Sequence, residues 1–367
     1  MKVATVVGTR PNLIKTSILS EKIRKNHEEI IIDTGQHYDK NLRDVFFTQL
    51  KIPSPKYSLG VGSDTHGVQT GNMMVKLDKI LLIERPDVVV VYGDTNSTLA
   101  GALSAVKMHI PVLHVEAGVR SYDRSMPEEI NRVVVDHISD ILCCPTPSSY
   151  MNLMCEGIGA NPRGRISVTG DIMYDLILKY EDIALRNTNI IDVLGLDIRK
   201  YYIATIHRPS NTDDKLILQG IIDALGKLGE RVIFPMHPRT REAIVLNNIQ
   251  LYDNIWIIDP VGYFDMIALT KFAKKVVTDS GGLQKEAYFL GTPCVTVRDT
   301  TEWEETLSGH WNICVGNDTR RILDAVEISP DVERIHLPLF GDGNASYEIV
   351  EYINQMERFK SSSNGYN

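Results

Sequence analysis

The stretch Val276-Val277-Thr278-Asp279-Ser280-Gly281-Gly282-Leu283-Gln284-Lys285-Glu286 decides the fold. Its β-branched opening reads as a buried strand, Asp279 to Gly282 as a sharp turn, and Leu283 onward as a helix start. Strand, turn and helix in that order form the unit of a parallel α/β sheet. Two glycines let a ligand approach the backbone with no Cβ in the way. The free N–H groups and dipole of the helix start favour an anion there. Ser280 adds a hydroxyl donor, and Glu286, about one helical turn on, is placed to accept from a hydroxylated group such as a ribose. The turn therefore reads as a nucleotide-diphosphate site. A lone Gly-Gly after a strand is more often an ordinary connection, so this reading depends on the rest of the chain.

Outward from this stretch, short apolar runs alternate with helical patterns, the signature of α/β architecture. In the first half the expected strands are 2–7, 29–33, 88–92, 112–116 and 141–145. In the second half they are 202–205, 232–235, 255–258, 276–278 and 294–297. Each ends in a small, polar or charged cluster, and open α/β sheets bind ligands at the carboxyl ends of their strands. The fold class expected is two Rossmann-like, doubly wound α/β domains facing a cleft. The first spans 1–168 and the second, carrying the nucleotide site, 171–343. A last helix at 346–360 is expected to pack back on the first domain.

Composition narrows the function. The chain has 367 residues, 43% of them hydrophobic, a net charge of −8 and a pI near 5.7. An acidic balance argues against nucleic-acid binding, which needs a basic face. No apolar run approaches the ~20 residues of a membrane span, and the first residues read as a core strand rather than a signal peptide. The five cysteines form no C-x-x-C pair and fit reduced, mostly buried thiols of a cytoplasmic protein.

Several polar residues stand where the strands end. After the first strand, Arg10 offers a planar donor fork for phosphate and Lys15 a mobile positive charge. Asp94 follows the run 88–92, where it can also cap the next helix. Glu116 ends a strand that should be buried on both faces, so its carboxylate needs a partner or a raised pKa. Glu128 opens a helix after Pro127, four residues before Arg132, so the two share a face and are placed to pair. In the second half His207 ends one expected strand and His237 another. No metal-ligand spacing, nucleophile elbow, Walker loop or dinucleotide fingerprint is present. Several carboxylates beside a nucleotide-diphosphate site suggest proton transfer on a sugar nucleotide.

Seven motifs now stand in order: Gly8-Thr9-Arg10-Pro11, Gly93-Asp94-Thr95, His114-Val115-Glu116-Ala117-Gly118, Pro127-Glu128-Glu129-x-Asn131-Arg132, His207-Arg208, Asp279-Ser280-Gly281-Gly282-x-Gln284-x-Glu286 and Arg298-Asp299-Thr300-Thr301-Glu302. Together they resemble the non-hydrolysing UDP-N-acetylglucosamine 2-epimerases over nearly the whole chain. The resemblance implies a glycosyltransferase-B-like pair of domains, a UDP-sugar substrate, a homodimer and no cofactor. It implies C2 inversion through elimination of UDP to 2-acetamidoglucal and re-addition. It carries catalytic roles to Asp94, Glu116, Glu128 and His207. Substrate-binding roles pass to Arg10, Lys15, Arg132, His237, Ser280, Gly281, Gly282 and Glu286. Which carboxylate is base and which is acid stays open.

The chain departs from the family at Asn12, where the common loop has glutamate, at Pro209-Ser210-Asn211, at Trp303, and at Thr34-Gly35-Gln36-His37-Tyr38-Asp39. Some of these features resemble the branch acting on UDP-2,3-diacetamido-2,3-dideoxyglucuronate. The expected activity is UDP-GlcNAc to UDP-ManNAc, feeding surface-polysaccharide synthesis, with the diacetamido-uronate as alternative. A hydrolysing 2-epimerase and a retaining glycosyltransferase rank lower. A non-catalytic nucleotide-sugar-binding protein gives no reason for Glu116 at a buried strand end.

Overall fold

Each half of the chain builds its own parallel sheet in the computed structural model, which describes residues 1–36, 49–160, 165–332 and 339–363. The chain divides into one unit of Met1–Leu176 with Pro338–Asn367 and another of Ile177–Leu337. Among the described residues no helix is long and apolar enough to cross a membrane.

The first unit holds β1 (Lys2–Val7), β2 (Glu28–Asp33), β3 (Tyr57–Ser58), β4 (Val88–Tyr92), β5 (Val112–Val115), β6 (Ile141–Cys144) and β7 (Arg165–Val168). Their order across the sheet is β3-β2-β1-β4-β5-β6-β7, and each pairing is parallel. The connections include α1 (Arg10–Ile23), α2 (His66–Glu84), α3 (Asn96–Lys107), α4 (Pro127–Ile138) and α5 (Pro147–Cys155), with α6 (Ile172–Asn187) running on into the second unit. Every residue of β4 is buried, as a strand covered by helices on both faces must be. Val89 and Val91 pack with Ala4, Val6, Leu77 and Ala105 on one of those faces.

The second unit holds β8 (Tyr201–Thr205), β9 (Arg231–Pro235), β10 (Ile255–Ile258), β11 (Lys275–Thr278), β12 (Cys294–Thr296) and β13 (Asn312–Cys314), in the order β10-β9-β8-β11-β12-β13. Its helices include α7 (Lys215–Gly226), α8 (Pro238–Leu246), α9 (Tyr263–Phe272), α10 (Gly281–Phe289) and α11 (Thr319–Glu327). The period of two is visible in the core. Tyr202, Ala204, Val232 and Phe234 join one apolar cluster, while Tyr201, Ile203 and Ile233 join another. The last helix, α12 (Ala345–Ser363), packs on α1 of the first unit. Asp175 of α6 holds its start, accepting from Ala345 N at 3.1 Å and Ser346 N at 2.7 Å.

Both sheets change winding direction beside their first strand, between β1 and β4 and between β8 and β11. Such switch points leave a crevice at the strand ends where ligands of α/β proteins bind. Two expectations need correcting. β5 stops at Val115, one residue short of Glu116. β3, β7 and β13 carry no apolar run in the sequence, and each is the edge of its sheet.

Candidate active site

In the first unit the expected acids gather at the ends of β4 and β5 and the start of α4. Glu116 leaves β5 with φ of +72°, a left-handed conformation uncommon for a residue with a side chain. Its Oε2 lies 2.7 Å from Lys15 Nζ, which gives the buried carboxylate the partner its position demands. Gly93, at φ +61°, makes room for this pair: a Cβ there would lie 3.3 Å from Glu116 Oε1 and 3.7 Å from Lys15 Nζ. Asp94 pairs with Arg132 Nη2, and its backbone carbonyl accepts from Asn131 Nδ2 at 2.9 Å.

The helical spacing of Glu128 and Arg132 suggested a pair, and the structure corrects this. Arg132 turns to Asp94 and to Glu129, whose Oε2 is 3.2 Å from Nη1. Glu129 is also held by the N–H groups of Ser121 and Tyr122, both at 2.9 Å, and by Ser121 Oγ at 2.8 Å. Glu128 is half-buried and has no hydrogen-bond or ion-pair partner among the described residues. Arg10 is exposed at the first position of α1. Asn12, where the family's common loop has glutamate, is buried. Its Nδ2 donates to Tyr92 O at 3.2 Å and its Oδ1 accepts from Thr9 Oγ1 at 2.9 Å, so it ties α1 to the end of β4. His37, Tyr38 and Asp39 lie outside the described residues.

In the second unit the ends of β8 and β11 are clasped by one buried carboxylate. Asp279 accepts from His207 N at 2.9 Å, Arg208 N at 2.8 Å and Asn211 Nδ2 at 3.1 Å. His207 Nδ1 lies 3.0 Å from its Oδ1. Burial alone would raise the Asp279 pKa, but its bonds to His207 and Arg208 outweigh burial and hold it below the usual value. The ring of His207 is fixed through Nδ1, leaving Nε2 for a ligand. His237 caps α8, its Nδ1 accepting from Arg239 N at 3.2 Å, and its ring centre is 5.6 Å from that of His207.

Ser280 caps α10, its Oγ accepting from Leu283 N at 3.4 Å. The two glycines that follow differ. A Cβ at Gly282 would meet nothing within 4 Å, so this is the open approach to the helix start. A Cβ at Gly281 would lie 2.4 Å from Glu302 Oε1, so Gly281 is required by the protein's own packing. Glu302 is held there by Arg298 Nη1 at 2.7 Å. Glu286 is half-buried on the same helix. Trp303, one of the departures from the family pattern, is buried under Lys285, whose Nζ sits 3.6 Å from the ring centre.

Sequence reading gave Asp279 no role of its own. The signal was present in Val276-Val277-Thr278-Asp279, an acid ending a buried strand, as with Glu116. Glu302 had no comparable signal, because its closeness to Gly281 exists only in the folded chain. Among the described residues no group of three or more His, Cys, Asp or Glu side chains is arranged to hold a metal ion.

Two parallel α/β domains thus carry acids beside one switch point and a histidine–aspartate pair beside a helix start at the other, the arrangement of an α/β enzyme. The family model of UDP-N-acetylglucosamine 2-epimerase matches residues 21–354, and the chain belongs to that family. It is 49% identical to a UDP-N-acetylglucosamine 2-epimerase homolog of Methanococcus maripaludis, over 97% of this chain and 100% of the other. It is 44% identical to the UDP-2,3-diacetamido-2,3-dideoxy-D-glucuronate 2-epimerase of Pseudomonas aeruginosa, over 96% and 99%. The crystal structure of the Methanocaldococcus jannaschii UDP-GlcNAc 2-epimerase, in complex with UDP-GlcNAc and UDP, superposes with a TM-score of 0.90 at 42% identity, covering 97% of this chain and all of that one. The protein is an epimerase.

Proposed function

We propose that the chain inverts carbon 2 of a UDP-N-acetylated hexosamine, in the first place UDP-GlcNAc to UDP-ManNAc. In the forward step a carboxylate takes the C2 proton while the C1–O bond breaks. The electrons of the C–H bond form the C1=C2 double bond of 2-acetamidoglucal, and UDP leaves with those of the C1–O bond. Reprotonation at C2 on the other face and return of UDP to C1 give the epimer.

The observation that supports this most is the unequal setting of three carboxylates in one unit. Asp94 has Arg132 and Glu116 has Lys15, while Glu128 has no partner among the described residues. Base and acid roles need such inequivalent surroundings. The leaving diphosphate needs donors, for which we propose Arg10, His207, Ser280 and the N–H groups at Gly281 and Gly282. Glu286 takes the ribose, and Lys15, Arg132 and His237 complete the substrate site. Turnover in deuterated water followed by NMR tests the reading. Deuterium at C2 of product and of recovered substrate is expected, and product that keeps its C2 proton would sink the elimination route.

The second reading is the diacetamido-uronate, supported by the 44% identity to the Pseudomonas enzyme of that name. Paired kinetics on the two UDP-sugars decide between them. A kcat/KM ratio of ~100 in favour of the uronate, about 2.7 kcal/mol in transition-state binding, would reverse the order. We further propose a cytoplasmic homodimer supplying surface-polysaccharide precursors. Val68, Val75 and Leu82 stand exposed at seven-residue spacing on α2, a stripe suited to a second copy. A monomer mass by light scattering would overturn the dimer.

A further inference from the structure

In the first unit one buried histidine–aspartate pair touches every segment that carries a candidate acid. His114 of β5 and Asp136 of α4 are both fully shielded from solvent. The imidazole Nε2 lies 2.7 Å from Gly93 O, and Nδ1 lies 2.7 Å from Asp136 Oδ1. Gly93 directly precedes Asp94. The second oxygen of Asp136 accepts from Gly118 N at 3.1 Å and Arg120 Nη1 at 2.6 Å, which frame the turn after Glu116. Arg120 is forked onto Glu156, at the end of α5, through Nε and Nη2, both at 2.7 Å. The helix that carries Asp136 also carries Glu128, and its Arg132 pairs with Asp94.

The turn held in this way is a strained one. Glu116 has φ of +72° and Gly118 of +77°, and a Cβ at Gly118 would lie 2.2 Å from Ser149 O. The N–H groups of Glu116 and Ala117 both donate to Cys143 O, at 3.1 and 3.0 Å. A left-handed residue with a side chain persists only where its surroundings over-determine it. Asp136 supplies that constraint from the far side of the turn. Burial would raise its pKa, yet His114 and Arg120 outweigh burial and hold it low, so it stays an ionised acceptor. Apolar packing would fill the same space without removing charges from water.

We propose that the His114–Asp136 pair, backed by Arg120, is the positioning unit of the reaction, setting Asp94, Glu116 and Glu128 in mutual register without touching substrate. This rests on the epimerase reading above. Displacements near 1 Å at a reacting centre cost on the order of 100-fold in rate, so loosening the pair should act on turnover rather than on nucleotide binding.

The experiment compares full-length wild type with Asp136→Asn and His114→Gln, using whichever of the two UDP-sugars the wild type turns over. It measures kcat, KM, UDP affinity by calorimetry, melting temperature and C2 deuterium incorporation. The expected result is a folded variant with unchanged UDP affinity and KM, kcat lower by ~30-fold or more, and deuterium incorporation falling in step. Wild-type kcat in folded variants overturns the proposal. Failure of both variants to fold, or a kcat loss matched by loss of UDP-binding protein, assigns the pair to the fold and also overturns it. Wild type that turns over neither UDP-sugar and exchanges no C2 proton sinks the epimerase reading instead, an outcome seen before any variant is made.

Discussion

Lys15 Nζ lies 2.7 Å from Glu116 Oε2, an ion pair joining the first helix of the chain to the turn after β5 across 101 residues of sequence. Both side chains are nearly buried, and Gly93 leaves them room. The pair places a carboxylate where the sheet changes winding direction, and it gives that carboxylate the cation it needs there.

Glu116→Gln should lower kcat by at least ~100-fold, the lower bound usual for general acid–base groups. Lys15→Met should cost on the order of 3 kcal/mol of stability, because it removes the cation paired with a nearly buried carboxylate. The double variant should regain part of that stability and none of the activity. Urea denaturation with parallel kcat measurements checks this, and additive stability losses would show that the two side chains act independently.

The two glycines of the nucleotide turn should respond differently. A Cβ at Gly282 has no protein atom within 4 Å, so in Gly282→Val the melting temperature should hold while UDP affinity falls by ~10-fold or more, about 1.4 kcal/mol. Gly281→Ala collides with Glu302 and should lower the melting temperature as well, by disturbing the Arg298–Glu302 pair. Unchanged calorimetric UDP binding in folded Gly282→Val would move the diphosphate away from this turn.

Asp279→Asn should free the ring of His207 and remove an acceptor shared by three N–H donors. A loss of on the order of 100-fold in kcat is expected if His207 donates or accepts a proton. Nitrogen NMR of the His207 ring, labelled at both positions, should show Nδ1 losing its fixed hydrogen-bond state. Wild-type turnover in this variant would leave Asp279 a purely structural clasp.

Acid should unlock the opposite edge of the first sheet. Bonds to Lys2, Lys56 and Tyr57 lower the Glu84 pKa from 4.5 to about 2. A carboxyl depressed in the folded state adds stability that is full above its unfolded value and is lost as pH falls through the folded one. The melting-temperature gap between wild type and Glu84→Gln should therefore be widest above pH 4.5 and close as pH approaches 2. A gap that stays constant over that range would show that the charge of Glu84 contributes nothing.

The strands that sequence reading missed share one property. Tyr57–Ser58, Arg165–Val168 and Asn312–Cys314 are edges, so fewer of their residues are forced to be apolar and no hydrophobic run marks them. The edge strand β10 was legible because Ile255-Trp256-Ile257-Ile258 keeps such a run. At the site, Glu116 was legible because a carboxylate at the end of a buried strand contradicts its surroundings. Its left-handed backbone was not, since conformation there depends on Gly93, Cys143 and Asp136 arriving from other segments. The helical spacing of Glu128 and Arg132 pointed to a pair, but Arg132 went to Asp94 from another segment and to Glu129, three residues away on its own helix.

By itself the sequence determined what depends on neighbours along the chain. Alternating apolar runs and turns set two parallel sheets, the Ser280-Gly281-Gly282 turn set a helix start open to an anion, and seven ordered motifs set the family. Only the tertiary structure decided which polar partners meet: Lys15 with Glu116, Arg132 with Asp94, Asp279 with His207, Asp136 with His114. The reason is physical. Backbone patterning is a local property of a few residues, whereas the partner of a buried charge is chosen by whichever opposite charge folding brings within hydrogen-bond reach, and sequence distance carries no record of that choice.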